Sequence, residues 1–401
     1  ASDVYKRQVL NGTGQQEYEF GFDKDKWNKT PKGLFSYKYD PKDGQKDAAL
    51  ADIAGGIAIG TNSYARTGSI DIGGRTMDGR TMAGMVVNET GINEKGEVYV
   101  KNPATANIID MTTVGTNSYN KGLMATIVGS YSINTGDFNG EGGLNSLYYG
   151  SQNMGSTIVG SLNQNRSLGK DGTSGVANSI IGVANIAEGA NGALIFGAGN
   201  KVSNSIGSIY GFDGNYGANT VDDLVDSLSS AVKESESGGS TLVIGGGNTA
   251  DYTQRTQLIG VNNTITGTSK NISDYNMVDG FNTTANNISH VYTIGYRNDF
   301  NNENNSIVIG DYHQLTNGKN NIVIGSYDGS YQPADEYTKT PEKTTYLTNN
   351  KLEDAVILGH NANAKFSKGV AIGSGSVASI CLLYTSTSPR DYAASRMPSS
   401  A

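Results

Sequence analysis

The sequence predicts an all-β protein, a solenoid of parallel coils that are each 14 to 15 residues long. A run of two or three aliphatic residues closed by glycine recurs along the chain. Its glycines keep a fixed spacing, since Gly280, Gly295, Gly310 and Gly325 are each 15 residues apart. Charged residues make up only 17% of the chain, so the amides and hydroxyls of Asn, Ser and Thr supply most of the side-chain polarity, and Gly is abundant. This composition is typical of repetitive β-structure rather than of a disordered chain.

The repeat unit is an aliphatic strand, a glycine, a polar corner and a second short strand. We interpret the closing glycines as structural repeat positions: Gly60, Gly129, Gly160, Gly182, Gly197, Gly245, Gly260, Gly280, Gly295, Gly310, Gly325, Gly359 and Gly373. Asn often stands three residues later: Asn163, Asn185, Asn200, Asn248, Asn263 and Asn298. Glycine and Asn tolerate left-handed backbone angles, which predicts that these positions form the corners.

The first strand of each coil predicts an oligomer. Ile307, Val308 and Ile309 are apolar in succession, as are residues 322–324. Side chains alternate across a strand, so such runs indicate that both faces are buried. One face can fill the interior of the coil, and further copies of the chain are the simplest cover for the other. A single-chain solenoid that hides this face by curling is the alternative.

The two ends of the chain encode one DNA element in opposite directions. Residues 3–8 spell DVYKRQ and residues 381–386 spell CLLYTS. The codons TGT CTC TTA TAC ACA TCT translate to the second peptide, and the complementary strand translates to the first. We therefore interpret residues 1–8 and 381–401 as translated sequencing-library adapter, and we expect a reading frame truncated on both sides. The single cysteine, Cys381, falls in this part, so no disulfide or thiol nucleophile is expected elsewhere.

The repeats resemble the YadA-like heads of trimeric autotransporter adhesins, which carry Hep/Hag-type repeats. The closest copies are GIAIGTNSYA at residues 56–65, NSIVIG at 305–310 and GVAIGSGSVA at 369–378. The resemblance implies a left-handed parallel β-roll, a homotrimer and display on the bacterial outer membrane. The chain departs from the family pattern because most copies are 15 residues long and rich in Asn, and it shows no neck, stalk or anchor.

Two insertions interrupt the repeat. Apolar residues at helical spacing between Val221 and Val232 predict a short amphipathic helix that packs on the roll. A second insertion rich in Tyr, Pro, Lys and Thr predicts an exposed loop, where recognition often occurs. The predicted organisation is a non-repeat segment at residues 9–50 and β-roll repeats at 51–220, 239–326 and 355–380. A helical insertion at 221–238 and a loop insertion at 327–354 separate the three blocks of repeats.

Enzyme chemistry is not expected from this sequence. The three histidines are His290, His313 and His360, and the last two stand near corners, which favours turn roles over metal binding or catalysis. No HExxH, phosphate-binding loop or nucleophile elbow occurs, so we predict no catalytic residue, metal or cofactor. A net charge of −8 argues against binding to nucleic acid or to an anionic membrane.

The resulting prediction is a cell-surface adhesin head that attaches bacteria to host extracellular matrix or cells. Family copies similar to NSIVIG are associated with collagen binding, which makes one strand the candidate matrix-binding site: Asn305, Ser306, Ile307, Val308, Ile309 and Gly310. Two alternatives remain open, a passive spacer in a surface fibre and a segment of a trimeric phage tail fibre. No membrane contact is expected from this segment.

Overall fold

The protein is described from a computed structural model of the 401-residue chain. The described residues are 8–9, 18–21, 36–39, 50–51, 57–59, 64–65, 70–73, 77–78, 90–92, 98–100, 111–116, 118–120, 122, 124–136, 153–167, 175–205, 225–226, 229–230, 241–335, 337 and 339–379. They fall into two compact units, an N-terminal unit (Ala1–Ile288) and a C-terminal unit (Ser289–Ala401).

In the N-terminal unit, the first strands of successive coils form one parallel sheet. In sheet order they are Gln8–Val9, Ile57–Ile59, Ile70–Ile72, Thr112–Thr116, Thr126–Ser130, Thr157–Ser161, Ser179–Val183, Leu194–Ala198, Leu242–Gly246, Gln257–Val261 and Met277–Phe281. The repeat glycines pair with one another, for example Gly182 with Gly197 and Gly197 with Gly245. The 14- to 15-residue repeat therefore corresponds to one coil.

The second strands of the N-terminal unit form another parallel sheet. In chain order they are Leu50–Ala51, Tyr64–Ala65, Met77–Asp78, Tyr119–Asn120, Ile133–Gly136, Gln164–Ser167, Ile186–Glu188, Lys201–Ser203, Thr249–Asp251, Thr264–Thr266 and Thr284–Asn286. Thr253–Gln254 and Ser273–Asp274 add a short parallel pair. Two antiparallel pairs interrupt the repeat: Tyr18–Gly21 with Ser36–Tyr39, and Thr90–Ile92 with Val98–Val100.

The C-terminal unit repeats the same construction. Its first strands are Tyr292–Tyr296, Ile307–Ile309, Ile322–Ile324, Val356–Leu358 and Val370–Ile372, and its second strands are Asp299–Asn301, His313–Thr316 and Leu347–Asn350. Asn363–Ala364 and Val377–Ala378 form a further parallel pair, and Ser330–Gln332 and Lys343–Thr345 form an antiparallel hairpin. Parallel strands therefore dominate the described part of both units, which confirms the predicted all-β repeat architecture.

The core of each coil lies between its first and second strands. The second residue of these first strands points inward, and Ile180, Val243 and Val308 are fully buried. The second strand supplies a facing apolar residue, such as Val202 or Ile265, which is also fully buried. Because only one residue in two can point inward, a three-residue aliphatic strand leaves its outer two side chains outside the coil.

The repeat glycines are required by the close approach of neighbouring coils. Gly245 has φ of +128°, and a Cβ atom added to it would lie 1.8 Å from the carbonyl oxygen of Gly260. No side chain can occupy that space, and the backbone angle itself disfavours any residue with a Cβ. The spacing that the sequence shows is thus fixed by backbone packing between coils.

The corners differ from the prediction. The Asn residues three positions after the glycine have no left-handed backbone; the residue before each of them does, as in Leu162 (φ 61°), Ala184 (φ 57°) and Arg297 (φ 51°). The Asn side chains are instead buried; Asn185 and Asn200, for example, are 0% exposed. At these six positions the expected left-handed corner was wrong, because Asn serves there as a buried hydrogen-bonding group; other Asn residues, such as Asn262 and Asn317, do have left-handed backbone.

Several predicted segments lie largely outside the described residues. This holds for both adapter-like ends, for residues 9–50 and for the helical insertion at 221–238. Four residues of that insertion are described, and Val225, Asp226, Ser229 and Ser230 are helical. The predicted loop at 327–354 contains the hairpin, and its last strand, Leu347–Asn350, pairs with His313–Thr316 as part of a coil.

Candidate functional site: interaction surfaces

The outward residue just before each repeat glycine forms a continuous row, here called the outer stripe. Its members in the N-terminal unit are Ile59, Ile72, Val114, Val128, Val159, Ile181, Phe196, Ile244, Ile259 and Asp279. The exposed fraction is 42% for Val128 and 39% for both Ile181 and Ile244. These side chains are exposed or half-buried in the described part of the unit, so the stripe is a largely apolar surface available to a partner.

In the C-terminal unit, the outer stripe comprises Ile294, Ile309, Ile324, Leu358 and Ile372. A second outward row lies beside it, two residues earlier in each strand, and consists of Tyr292, Ile307, Ile322, Val356 and Val370. Both rows are apolar throughout, and exposure reaches 66% at Ile372. This sheet face is thus more apolar than its N-terminal counterpart, where Thr126 and Thr157 occupy the second row.

The predicted matrix-binding strand contributes three side chains to the surface, and the first of them, Asn305, is exposed. Ile307 and Ile309 point outward at 41% and 39% exposure, whereas Ser306 and Val308 are fully buried. The Ser306 hydroxyl donates a hydrogen bond to Glu303 Oε1 at 2.6 Å and accepts one from the Asn321 backbone N–H at 3.0 Å. Any ligand at this strand would therefore contact Asn305, Ile307 and Ile309, of which the two isoleucines belong to the apolar face.

A ladder of buried Asn side chains runs through the corners of the N-terminal unit. Asn200 Oδ1 accepts a hydrogen bond from the Asn248 backbone N–H at 3.0 Å, and Asn200 Nδ2 donates one to the Gly245 carbonyl at 2.9 Å. Asn185 makes the same donor contact to Gly197 at 2.7 Å. Each amide thereby satisfies backbone groups of the next coil, which buried backbone requires.

Two ionisable residues are buried within the coils of the C-terminal unit. His313 stands in the Asn ladder position and is 1% exposed. Glu303 is fully buried, and its carboxylate accepts hydrogen bonds from Ser306 Oγ, from Asn321 Nδ2 at 2.8 Å and from the Gly318 N–H at 3.0 Å. His313 thus replaces an amide of the ladder, whereas Glu303 aligns with Ile288 and Gly318 of the neighbouring coils and adds a carboxylate at a different corner.

The hairpin of the C-terminal unit is anchored to the coils at its base. The Arg297 guanidinium lies over the Tyr331 ring, 3.1 Å from the ring centroid, and Arg297 Nε donates a hydrogen bond to Tyr296 Oη at 2.7 Å. Asp328 accepts a hydrogen bond from Asn361 Nδ2 at 2.6 Å. That hydrogen bond is the main reason why the pKa of Asp328 lies below its usual value. The hairpin thus presents its tip, where Tyr337 is 99% exposed, from a fixed base.

The histidines are not brought together. His290 is exposed and contacts Ser289, His313 is buried in the ladder, and His360 lies 3.1 Å from Asp328. Among the described residues, no group of three or more His, Cys, Asp or Glu side chains is placed to hold a metal ion. No described helix is both long and apolar enough to cross a membrane. The chain matches no protein-family profile, and it matches no curated protein sequence.

Proposed function

We propose that this chain is the head segment of a trimeric bacterial surface adhesin of the YadA-like kind that its repeats resemble, with coils that wind as a left-handed parallel roll. The outer stripe is the observation that carries the proposal. It places an aliphatic side chain on the outside of nearly every coil, and among the described residues these side chains stay exposed or half-buried. Uncovered apolar faces of this length mark association surfaces, and three copies around one axis would bury all three stripes.

Adhesion follows from the repetitive surface of such an assembly. Three stiff rolls display each surface group many times, so weak individual contacts add to a high avidity. The partner that we propose is a host extracellular matrix protein such as collagen, met at the bacterial outer membrane. In the trimer Ile307 and Ile309 face other copies, so the matrix contacts are expected on the second-strand sheets and on the hairpin.

The experiment that tests the trimer is a measurement of solution mass. Light scattering on the purified chain is compared with a chain fused to a trimeric coiled coil, and both are checked for β-structure by circular dichroism. A folded trimer without the fusion supports the proposal. A folded monomer at concentrations where the fused chain is trimeric contradicts it.

Matrix binding is tested separately from assembly. The trimer is applied to immobilised collagen and to an albumin surface as control, and binding is measured against chain concentration. Saturable binding to collagen alone supports the proposed partner. A trimer that binds neither surface leaves the assembly intact and removes collagen as the ligand.

A further inference from the structure

One Asn–Gly dipeptide of the C-terminal unit stands where the fold favours both residues. Asn317 has left-handed backbone (φ 55°) and an exposed side chain. Gly318 is buried, and a Cβ atom added to it would lie 2.5 Å from Glu303 Oε2 and 2.6 Å from the Leu352 carbonyl oxygen. Asn is favoured at the first position because it tolerates this backbone angle, and glycine is required at the second because no Cβ fits there.

An Asn–Gly dipeptide is able to modify itself. The glycine nitrogen loses its proton to solvent base and attacks the Asn side-chain Cγ, which closes a five-membered succinimide ring. The side-chain amide takes up a proton and leaves as ammonia, and water then opens the ring to aspartate or isoaspartate. Glycine favours the attack because it has no Cβ in the way. Among the left-handed Asn residues that the structure describes, only Asn317 precedes a glycine.

Glu303 holds the attacking nitrogen of this site in the folded chain. The Gly318 N–H donates a hydrogen bond to Glu303 Oε2 at 3.0 Å, and both residues are buried. Removal of the Gly318 proton would place a negatively charged nitrogen beside a carboxylate, and like charges at this distance disfavour ionisation. The hydrogen bond therefore opposes the first step of ring closure.

The left-handed corner also keeps the two reacting atoms apart. A residue in this region has ψ of roughly +30 to +60°, which sets the next nitrogen nearly opposite Cβ across the Cα–C bond. Ring closure requires both atoms on the same side of that bond. The Asn317 amide is also held in place, since its Oδ1 accepts a hydrogen bond from Asn302 Nδ2 at 3.0 Å. The corner must therefore open before the ring closes.

We infer that Asn317–Gly318 is a self-modification site of this chain and that Glu303 keeps it unreactive while the coil is folded. Aspartate at this position adds one negative charge to an exposed row in which Asn317 contacts Asn302 and Asn350. Isoaspartate also lengthens the backbone of the coil by a methylene group. The site thus converts time that the coil spends open into a permanent chemical change.

The test follows the two Asn–Gly sites among the described residues by mass spectrometry. The full chain is incubated at mildly alkaline pH, either folded or unfolded in urea, and is then digested. The mass gain and the isoaspartate content are measured at Asn317 and at Asn191. Asn191 serves as the internal reference, because it lies in the N-terminal unit and its Gly192 N–H donates to the Val176 carbonyl at 2.9 Å. We expect Asn317 to react about tenfold or more slowly in the folded chain than in urea.

Two variants separate the hydrogen bond from general stability. Glu303→Gln should raise the Asn317 rate several-fold in the folded chain. If its amide oxygen faces Ser306 and Asn321, its NH₂ group faces the Gly318 N–H and cannot accept from it. Val308→Ala removes buried methyl groups from the same unit and leaves Glu303 in place. The two variants are compared at matched unfolding free energy, set by added denaturant, and Asn191 should stay slow in both.

Three outcomes would overturn the inference. They are an Asn317 rate in the folded chain as high as the rate in urea, an absence of reaction at Asn317 in urea, and equal acceleration by Glu303→Gln and Val308→Ala. Each outcome is read from one chain's own peptide, so it is independent of whether the chain forms the proposed trimer.

Discussion

The Nε2 atom of His313 lies 2.6 Å from the carbonyl oxygen of Gly325 in the next coil. Asn298 makes the equivalent contact one coil earlier, where its Nδ2 atom donates to the Gly310 carbonyl at 2.8 Å. Because a carbonyl only accepts, Nε2 must carry a hydrogen. Nδ1 is buried without a hydrogen-bond partner among the described residues, so a second hydrogen there would be a buried donor without an acceptor. The imidazole thus completes the ladder in its neutral form.

This arrangement predicts a loss of stability in acid. Burial lowers the pKa of His313 below its ordinary value of 6.5, although the contact with Gly325 and the nearby Asp311 partly oppose that effect. The unfolded chain therefore takes up a proton before the folded one does. The stabilisation is complete above pH 6.5 and is lost as the pH falls from there through the folded pKa.

Thermal unfolding measured across this range should show the melting temperature falling below pH 6.5. His313→Asn restores the amide of the other coils and should remove this part of the pH dependence. The variant should also be at least as stable as the wild type at neutral pH. An identical pH profile in the variant would show that His313 does not titrate as described.

Glu303 should have the opposite dependence on pH. Burial raises the pKa of its carboxyl above the ordinary 4.5, and hydrogen bonds from Ser306, Asn321 and Gly318 act in the other direction. The folded chain then holds the proton more tightly than the unfolded chain, so stability falls as the pH rises from 4.5 through the folded pKa. In a His313→Asn background, plots of unfolding free energy against pH should differ in slope over this range between the chain with Glu303 and Glu303→Gln. Parallel plots would contradict the raised pKa of Glu303.

Removing the Glu303 side chain should be far more harmful than neutralising it. Glu303→Ala leaves the buried Gly318 N–H without its acceptor and opens a cavity, while Asn321 Nδ2 and Ser306 Oγ keep the carbonyls of Leu352 and Asn304; we expect a cost of about 2 kcal/mol or more in unfolding free energy. Glu303→Gln keeps an acceptor for Ser306 and Asn321 and should lose less. Chemical denaturation of the two variants at one pH gives the comparison, and equal losses would mean that the hydrogen bonds contribute little.

Two adjacent glycines provide a matched test of coil packing. Gly245→Ala must fit a Cβ 1.8 Å from the Gly260 carbonyl oxygen at φ +128°, whereas a Cβ on Gly246 meets only the Ala198 carbonyl oxygen, at 3.7 Å. We expect Gly245→Ala to cost about 3 kcal/mol or more and Gly246→Ala to cost under about 1 kcal/mol. The measurement is the unfolding free energy of both variants. A Gly245→Ala chain as stable as the wild type would contradict the described close approach of the coils.

A substitution at Ile309 distinguishes the two roles proposed for its strand, an interface between copies and a matrix-binding site. A glutamate there should dissociate the trimer if the outer stripe lies between copies, because three charges would enter an apolar interface. Thr316→Glu, an outward change on the second-strand sheet, should leave the mass unchanged. If Ile309→Glu remains trimeric and folded but no longer binds collagen, the strand is a matrix-binding site and the stripe is not the interface.

The repeat was predictable because backbone packing imposes it on the sequence. The glycine spacing reports the pairing of Gly182 with Gly197 and of Gly197 with Gly245, and no other residue meets that constraint. The alternation of a strand also explains why Val308 is buried while Ile307 and Ile309 face outward. These features follow from local geometry, which a sequence expresses directly.

The role of the ladder was not predictable in the same way. An Asn side chain serves equally well at a left-handed corner and as a buried donor and acceptor, so its position in Asn200 or Asn298 does not distinguish the two roles. The sequence gives even less indication that His313 and Glu303 are buried hydrogen-bonding groups, because their partners Gly325 and Gly318 come from the adjacent coil. The hairpin is fixed by Arg297 and Tyr331, which have no periodic pattern at all.

The pairing of coils on either side of the helical insertion has a consequence for how such a protein can evolve. Leu194–Ala198 pairs directly with Leu242–Gly246, and Asn200 reaches Gly245 at 2.9 Å, although a long segment intervenes between the two coils. Neighbouring coils therefore join in the same way whatever the chain does between them. Recombination that adds, removes or exchanges intervening segments can alter what the surface displays, and the genetic event need only keep the reading frame.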